Sequence, residues 1–250
     1  MLPATALTLV IVFAGAVYLH GWFLCGSIPR WRACSFSLGL LATWIAVASP
    51  IGSLDSHMLT AHMIQHLLLM TIAPPLMWLG EPVITAWPEG WKLPNGLGNL
   101  LGNPAFCWLA SAAALVTWHV PAMFQLGMES STWHFVEHAS FLATGLLFWW
   151  PVIEPWPSVT RWPRWSMLLY LFLATLPCDV LSGLLVFSDR VVYPMYLSMS
   201  AMDDLTPIED QQCAAALMWT AVTVVFLVAG TILCIQMLSP KLRLKETVSA

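Results

Sequence analysis

Long apolar runs alternate with short polar or proline-rich breaks along the whole chain. Seven of these runs are long enough to cross a bilayer as helices, each of which needs about 20 apolar residues. Because the runs are continuous and do not alternate at every second residue, they favour helices over a membrane β-barrel. We place the spans at residues 4–25, 33–50, 57–79, 104–126, 131–153, 165–187 and 208–238.

Composition agrees with a membrane protein. Of the 250 residues, 59% are hydrophobic and only 9% are charged, whereas about 25% are charged in an ordinary soluble domain. Lys and Arg together number 9 and the net charge is −4, which argues against a nucleic-acid partner. We therefore predict an all-α fold, a polytopic transmembrane helix bundle of about seven spans. Residues 1–250 would form a single integral membrane domain within the lipid bilayer.

The basic residues predict the orientation of the spans. All but one lie in loops that share one side of a seven-span arrangement, and only Arg190 falls on the other side. Because positively charged loops stay in the cytoplasm, we expect the N-terminus outside and the C-terminus in the cytoplasm. The Gly-, Pro- and Trp-rich residues 81–103 then form an irregular stretch at the cytoplasmic interface. The basic residues on that side are Arg30, Arg32, Lys92, Arg161, Arg164, Lys241, Arg243 and Lys245.

Five histidines are placed at one depth of the predicted bundle. His62 and His66 are four residues apart on the third span, as are His134 and His138 on the fifth, and His119 lies near the end of the fourth. A spacing of four returns to within about 40° of the same helix face. At 1.5 Å per residue, all five lie about 5 to 13 Å below the outer boundary. We predict that they converge as candidate metal ligands.

The chemistry of these side chains leaves several interpretations open. Ionisable groups inside a membrane are costly and normally face a partner or a cavity. Neutral imidazole binds copper, zinc and iron, so a metal site explains the pairs. Interhelical hydrogen bonds, or ligation of haem by two histidines, are alternatives. A copper transporter would use the same ligands, although few potential ligands lie in the inner half. Cys178 and Cys213 are candidate thiolate ligands, although a buried structural thiol is the more common role for both.

Three acidic residues are placed to support the histidines. Glu137 is expected to accept a hydrogen bond from a neighbouring imidazole. Asp179, about 12 Å inside the sixth span, fits the acceptor of a ligating imidazole's second N–H, and a helix–helix hydrogen bond explains it equally well. Asp210 suits the positive end of the seventh helix and is a further candidate to face the cluster.

A short motif offers an enzymatic alternative. Residues 134–138 match the H-x-x-E-H pattern of certain zinc proteases, with Glu209 as a third ligand and Glu137 activating a zinc-bound water. This intramembrane zinc hydrolase would leave His62, His66 and His119 without a role. Thr206 as a helix N-cap, with Glu209 in the first turn, explains that acid without a metal.

Four motifs in order resemble the seven-span CtaG-type assembly factors of caa-type cytochrome c oxidase. The resemblance extends from about residue 55 to residue 220. The motifs are the stretch from His62-Met63-Ile64-Gln65-His66 through Ala73-Pro74-Pro75 to Leu79-Gly80-Glu81-Pro82, then Trp118-His119-Val120-Pro121, then His134 to Trp150-Pro151, and finally Pro207 through Asp210-Gln211-Gln212 to Met218-Trp219.

This resemblance implies a function and a set of residues. It implies a non-enzymatic role in assembling haem–copper oxidase, with oxidase subunits as partners, in the inner (plasma) membrane of a bacterium. Copper is the cofactor that it suggests, ahead of zinc or haem. The site residues that it carries over are His62, His66, His119, His134, His138, Asp210 and Gln211. A donor with histidines at this depth would pass copper sideways within the membrane by ligand exchange.

Overall fold

The described part of the chain is helical throughout and contains no strand. The computed structural model describes residues 4–26, 28–49, 54–86, 95–155, 162–198 and 205–239. A π-helical turn, Leu68–Ile72, follows the third helix, and a 3-10 turn, Pro194–Ser198, precedes the last. The α-helices are α1 (Ala4–Cys25), α2 (Arg30–Ala48), α3 (Leu59–Leu67), α4 (Ala73–Leu79), α5 (Pro82–Ala86), α6 (Asn95–Leu101), α7 (Pro104–His119), α8 (Pro121–Glu129), α9 (Ser131–Ile153), α10 (Arg164–Val186) and α11 (Pro207–Leu238).

Four of the described helices, α1, α2, α10 and α11, are long and apolar enough to cross a membrane. Taken together, α7 and α8 pass the same test as a bent pair, which raises the number to as many as five. The bounds of the four long helices agree with the predicted spans to within a few residues. The helical fold and the membrane-spanning character of several helices are therefore confirmed.

The predicted span 104–126 is not one straight helix, because the helix breaks after His119. Val120 has extended backbone angles, φ −65° and ψ 127°, and α8 leaves at 76° to α7. The cause is Pro121, whose ring disfavours the helical conformation in the residue before it and which has no N–H to continue the helix. The break places His119 at the end of α7.

The predicted span 57–79 is helical from Leu59 but widens in its middle into the π-helical turn. Pro74 lacks the N–H that would bond to the carbonyl of Met70 in a regular helix. The indole Nε1 of Trp149 on α9 donates to that freed carbonyl at 3.2 Å instead. The hydrogen bond that Pro74 makes possible thus links α9 to the helical run that carries His62 and His66.

The arrangement of helices places α4 and the π-helical turn next to α9. α3 packs against α11, α4 against α2 and α9, α9 against α7, α7 against α10, and α10 against α11. These contacts close a ring whose interior receives the side chains of α3, α7 and α9. α1 lies outside the ring against α2 and α5, and it exposes Leu9, Val10 and Phe13, as a lipid-facing helix would.

Part of the predicted stretch 81–103 forms the short helices α5 and α6. Residues 87–94 between them lie outside the described residues, as do the terminal basic residues after 239. The basic residues at 92, 161, 241, 243 and 245, which carry much of the orientation prediction, are therefore not among those described.

Candidate metal centre

α3 presents His62 and His66 to the interior of the ring. Their ring centroids are 4.2 Å apart, as expected for side chains one helical turn apart. His62 has no exposed surface and His66 is 6% exposed. Aromatic rings enclose them, since Phe124 of α8 lies 4.9 Å from the His62 ring and Phe141 of α9 lies 4.1 Å from the His66 ring.

α9 presents the second histidine pair to the first. The ring centroids of His134 and His138 are 4.2 Å apart. His134 stacks on His62 with 5.9 Å between centroids, and His138 lies 6.0 Å from His66. The two predicted pairs therefore meet across the α3–α9 interface.

His119 joins the cluster from the end of α7. Its ring lies 6.0 Å from the ring of His66, and its Nδ1 lies 2.8 Å from the carbonyl oxygen of Leu115. A carbonyl only accepts, so Nδ1 carries the proton and donates. The lone pair of a neutral His119 is then on Nε2, the nitrogen free to bind a metal.

Glu137 lies between the α3 imidazoles, and not beside its own neighbours on α9. Its Oε1 is 3.5 Å from Nε2 of His62 and 3.3 Å from Nε2 of His66, and its side chain is fully buried. Gly127 of α8 packs against it, because a Cβ at that position would lie 2.8 Å from Glu137 Oε2. The residue predicted to support the histidines thus has the position of a ligand.

Ten buried nitrogen and oxygen atoms of this cluster have no hydrogen-bond partner among the described residues. The Glu137 contacts are short enough for ion pairs but do not have the geometry of hydrogen bonds. Leaving a buried polar atom unpaired costs about 1–3 kcal/mol, so such a concentration requires an explanation. The atoms are Asp55 Oδ2, Nδ1 and Nε2 of both His62 and His66, Nε2 of His119, His134 and His138, and Oε1 and Oε2 of Glu137.

A cation would satisfy those of these atoms that coordinate it, and two groups have the spacing to hold one. We name His62, His66 and Glu137 the central triad, and Asp55, His62 and His134 the peripheral triad. Within each triad the ligand atoms lie within 4.8 Å of one another. Imidazole and carboxylate donors suit copper, zinc or iron. The donor set therefore fits a transition-metal ion.

Asp55 is the residue that sequence reasoning missed. Its Oδ2 lies 3.2 Å from Nε2 of His134, and the residue is 5% exposed. It precedes α3 in an irregular connection, so helical periodicity gives no information on where its side chain points. Tyr196 of the 3-10 turn holds this connection by donating its hydroxyl to the Asp55 carbonyl at 2.8 Å; burial raises the pKa of that phenol and keeps it a donor.

The other predicted supporting residues lie apart from the histidines. Asp210 of α11 caps α3, since its carboxylate accepts from the backbone N–H of Leu59 at 2.7 Å and from the Thr60 hydroxyl at 2.6 Å. Gln211 accepts from the N–H of Val192 at 2.7 Å and so anchors the α10–α11 connection. Among the described residues, Asp179 makes no hydrogen bond or ion pair with a histidine.

Glu209 is not near the cluster. It forms a capping box with Thr206, whose backbone N–H donates to Glu209 Oε2 at 2.7 Å. The side chain is exposed on the first turn of α11. The third ligand of the hydrolase alternative is therefore wrong, and the N-cap explanation is confirmed.

A small cavity adjoins the cluster on the side of α10 and α11. Its volume is about 60 Å³, enough for an ion or a few waters but far below the several hundred Å³ of a cofactor pocket. His66 and His119 line one wall, together with three thioethers and the thiol of Cys178. The sulfur-bearing residues are Met63, Met70, Met218 and Cys178.

Several helices long enough to span a bilayer, with imidazoles and a carboxylate buried between them, define a helical membrane protein with a candidate metal centre. The chain belongs to the cytochrome c oxidase caa3 assembly factor (CtaG) family, whose model matches residues 5–239. The match confirms the resemblance carried by the four motifs. Membership of a family of assembly factors indicates a non-catalytic role.

Two curated relatives are uncharacterised proteins from Mycobacterium bovis and Mycobacterium tuberculosis. Each is 24% identical over an alignment of 233 positions, and the alignment covers 83% of this chain and 35% of the relative. The chain thus spans about a third of the length of the curated relatives that it matches. No solved structure gives a significant match.

Proposed function

We propose that this protein binds copper at the histidine cluster and supplies it to a caa3-type cytochrome c oxidase during assembly. The observation that carries the proposal is the central triad: Nε2 of His62 and of His66 and the carboxylate of Glu137 are buried, close together and without hydrogen-bond partners. His119, His134 and His138 complete a set of imidazoles around it. Asp210 holds the start of α3 in register, and Gln211 holds the connection that covers it.

The sulfur-containing side chains next to the cluster favour copper over the other transition metals. Imidazoles accept Cu²⁺ and Cu⁺, whereas thioethers and thiols select the softer Cu⁺. His66 and His119 line a cavity together with Met63, Met218 and Cys178. A copper ion in either oxidation state would find donors within one continuous site.

A lateral route for copper is supported by the surroundings of His119. This residue lines both the enclosed cavity and an open groove of about 610 Å³ between α7 and α10. The groove is walled by apolar side chains exposed on the protein surface, among them Val116, Val180 and Leu184, as expected next to lipid. A subunit of the oxidase within the same membrane would approach His119 from this side.

We further propose seven spans in a bacterial plasma membrane, with the N-terminus outside and the C-terminus in the cytoplasm. The run from Leu59 to Leu79 is about 30 Å long at 1.5 Å per residue, and α9 is of similar length. With α1, α2, α7–α8, α10 and α11 these make seven. The ends of α3 and α9 nearest His62 and His134 would then face outward.

The test is the metal content of the purified protein. Elemental analysis beside an absorption spectrum should find near-stoichiometric copper in the wild type and little in the His62→Ala, His66→Ala double variant. His20→Ala, which removes an exposed histidine of α1, is the control and should retain copper. In cells, the double variant should lower the copper content of the oxidase.

Other results would overturn the proposal. Iron with a Soret band would indicate a haem carrier, and zinc alone would exclude copper handling. A protein that binds no metal would be a scaffold whose histidines serve helix packing. If the oxidase has its full copper content in cells carrying the double variant, the histidine cluster is not needed for oxidase assembly.

A further inference from the structure

The peripheral triad lies between the central triad and one end of the bundle. Asp55 belongs to the connection just before α3, and His134 lies in the first turn of α9. Asp55 Oδ2 and His134 Nε2 are 3.2 Å apart, and with a nitrogen of His62 they form a group spaced for a metal. These are the cluster's ligand atoms nearest to the starts of α3 and α9.

His134 is the most exposed residue of the two triads. Its side chain is 14% exposed, against 8% for Asp55, 7% for His66 and none for His62 and Glu137. An ion that arrives from water at this end of the bundle therefore meets His134 and Asp55 before it meets Glu137.

His62 belongs to both triads. Both of its nitrogens are buried and without hydrogen-bond partners, and its ring stacks on His134 at 5.9 Å with 13° between the planes. A metal bound by Asp55, His134 and His62 has His66 and Glu137 on the far side of the shared ligand. If the ion exchanges Asp55 and His134 for the two new ligands while His62 stays bound, it is never without a ligand. A bare ion in a low-dielectric interior would be very costly in free energy.

We propose that Asp55 and His134 form, with His62, a loading site that captures the metal from water and hands it to the central triad. This inference rests on the proposed metal binding and adds a direction to it. One ion per chain is held at the central triad at equilibrium, and the peripheral triad is occupied in passing. No change of oxidation state is involved, because the ion only exchanges carboxylate and imidazole ligands.

The experiment measures the rate of loading separately from the copper retained. The full chain in detergent, freed of metal with a chelator, is mixed with Cu²⁺, and quenching of tryptophan fluorescence is followed by stopped flow. Copper retained after chelator treatment and desalting is then determined, with the electron paramagnetic resonance spectrum of the bound Cu²⁺. Asp55→Asn keeps the shape of the side chain and the backbone carbonyl that Tyr196 contacts, and His134→Gln is the second variant.

Both variants should load about tenfold or more slowly and still retain the wild-type amount of copper with the wild-type spectrum. Glu137→Gln should lose the retained copper. The matched control is Glu129→Gln on α8, which removes an exposed carboxylate that contacts Gln125 outside the cluster, and it should load at the wild-type rate. If Asp55→Asn does not fold, His134→Gln carries the same comparison.

Two results would overturn the loading site while leaving copper binding in place. One is wild-type loading rates in both Asp55→Asn and His134→Gln. The other is loss of retained copper in Asp55→Asn, which would make Asp55 a ligand of the resting ion. A wild-type protein that retains no copper would overturn the proposed function together with this inference.

Discussion

Glu137 is a carboxylate with no exposed surface, placed against two imidazoles at 3.3 and 3.5 Å in geometry that is not that of hydrogen bonds. If it served only as a structural ion pair, removing its charge would leave two buried imidazoles without their partner and cost about 3–5 kcal/mol. If it is a metal ligand, the metal-free protein gains from losing an unsatisfied buried charge.

We therefore expect Glu137→Gln to raise or preserve the melting temperature of the metal-free protein and to abolish its rise with copper. In the wild type, free copper at 100 times the dissociation constant should add about 2.7 kcal/mol of stability. Thermal melts with and without Cu²⁺ check this, with Glu129→Gln as the control that keeps the copper-dependent rise. A large destabilisation of the metal-free variant would indicate the structural ion pair instead.

The grouping of the histidines could be predicted from the sequence, but the placement of the acidic residues beside them could not. A spacing of four on a long helix fixes His62 beside His66, and His134 beside His138, whatever the neighbouring helices are. Glu137 lies on the same helix as His134, yet only the packing of α8 and α3 decides that it turns toward α3. Asp55 lies where no periodicity applies, and Asp179 shows that depth alone does not place a side chain in a site.

At the scale of helices, the meeting of α9 with the helix that carries His62 and His66 depends on a glycine. A Cβ at Gly145 would lie 2.8 Å from Pro74 Cγ and 2.9 Å from the Met70 carbonyl oxygen. Since Met70 and Pro74 belong to the π-helical turn and α4, their backbone has little freedom to move away. Apolar patterning predicted both helices. It did not predict their close contact at Gly145, the π-helical turn or the break at Val120, because these arise from prolines and from contacts between helices.

We expect Gly145→Ala to lower the stability by about 1–3 kcal/mol, the usual cost of overpacking, and to weaken copper binding by moving His134 and His138 away from α3. Gly183→Ala on α10 is the matched control, because a Cβ there meets nothing within 4 Å. That control should be neutral or slightly stabilising, since alanine favours helices. Thermal melts and copper titrations of both variants test the contact, and an unchanged Gly145→Ala would show that α9 is held elsewhere.

At the scale of the whole molecule, the orientation of the bundle decides which side of the membrane supplies the metal. Asp55, His134 and the α10–α11 connection lie at the end of the bundle proposed to face outward, and α6 lies toward the other end of α7. Between α6 and the α10–α11 connection the chain passes through α7–α8, α9 and α10. If the bent pair α7–α8 crosses the membrane, these are three crossings and the two regions lie on opposite sides.

Labelling of introduced cysteines in intact cells tests this arrangement. Asp189 and Gly96 are exposed, and a Cβ at Gly96 meets nothing within 4 Å, so a cysteine at either position should react without disturbing the fold. A membrane-impermeant thiol reagent should modify Asp189→Cys in intact cells but Gly96→Cys only after permeabilisation, with the parent protein as the background. Labelling of both from outside would make α7–α8 a re-entrant hairpin. The reverse pattern would invert the bundle, and Asp55 and His134 would then take up metal from the cytoplasm.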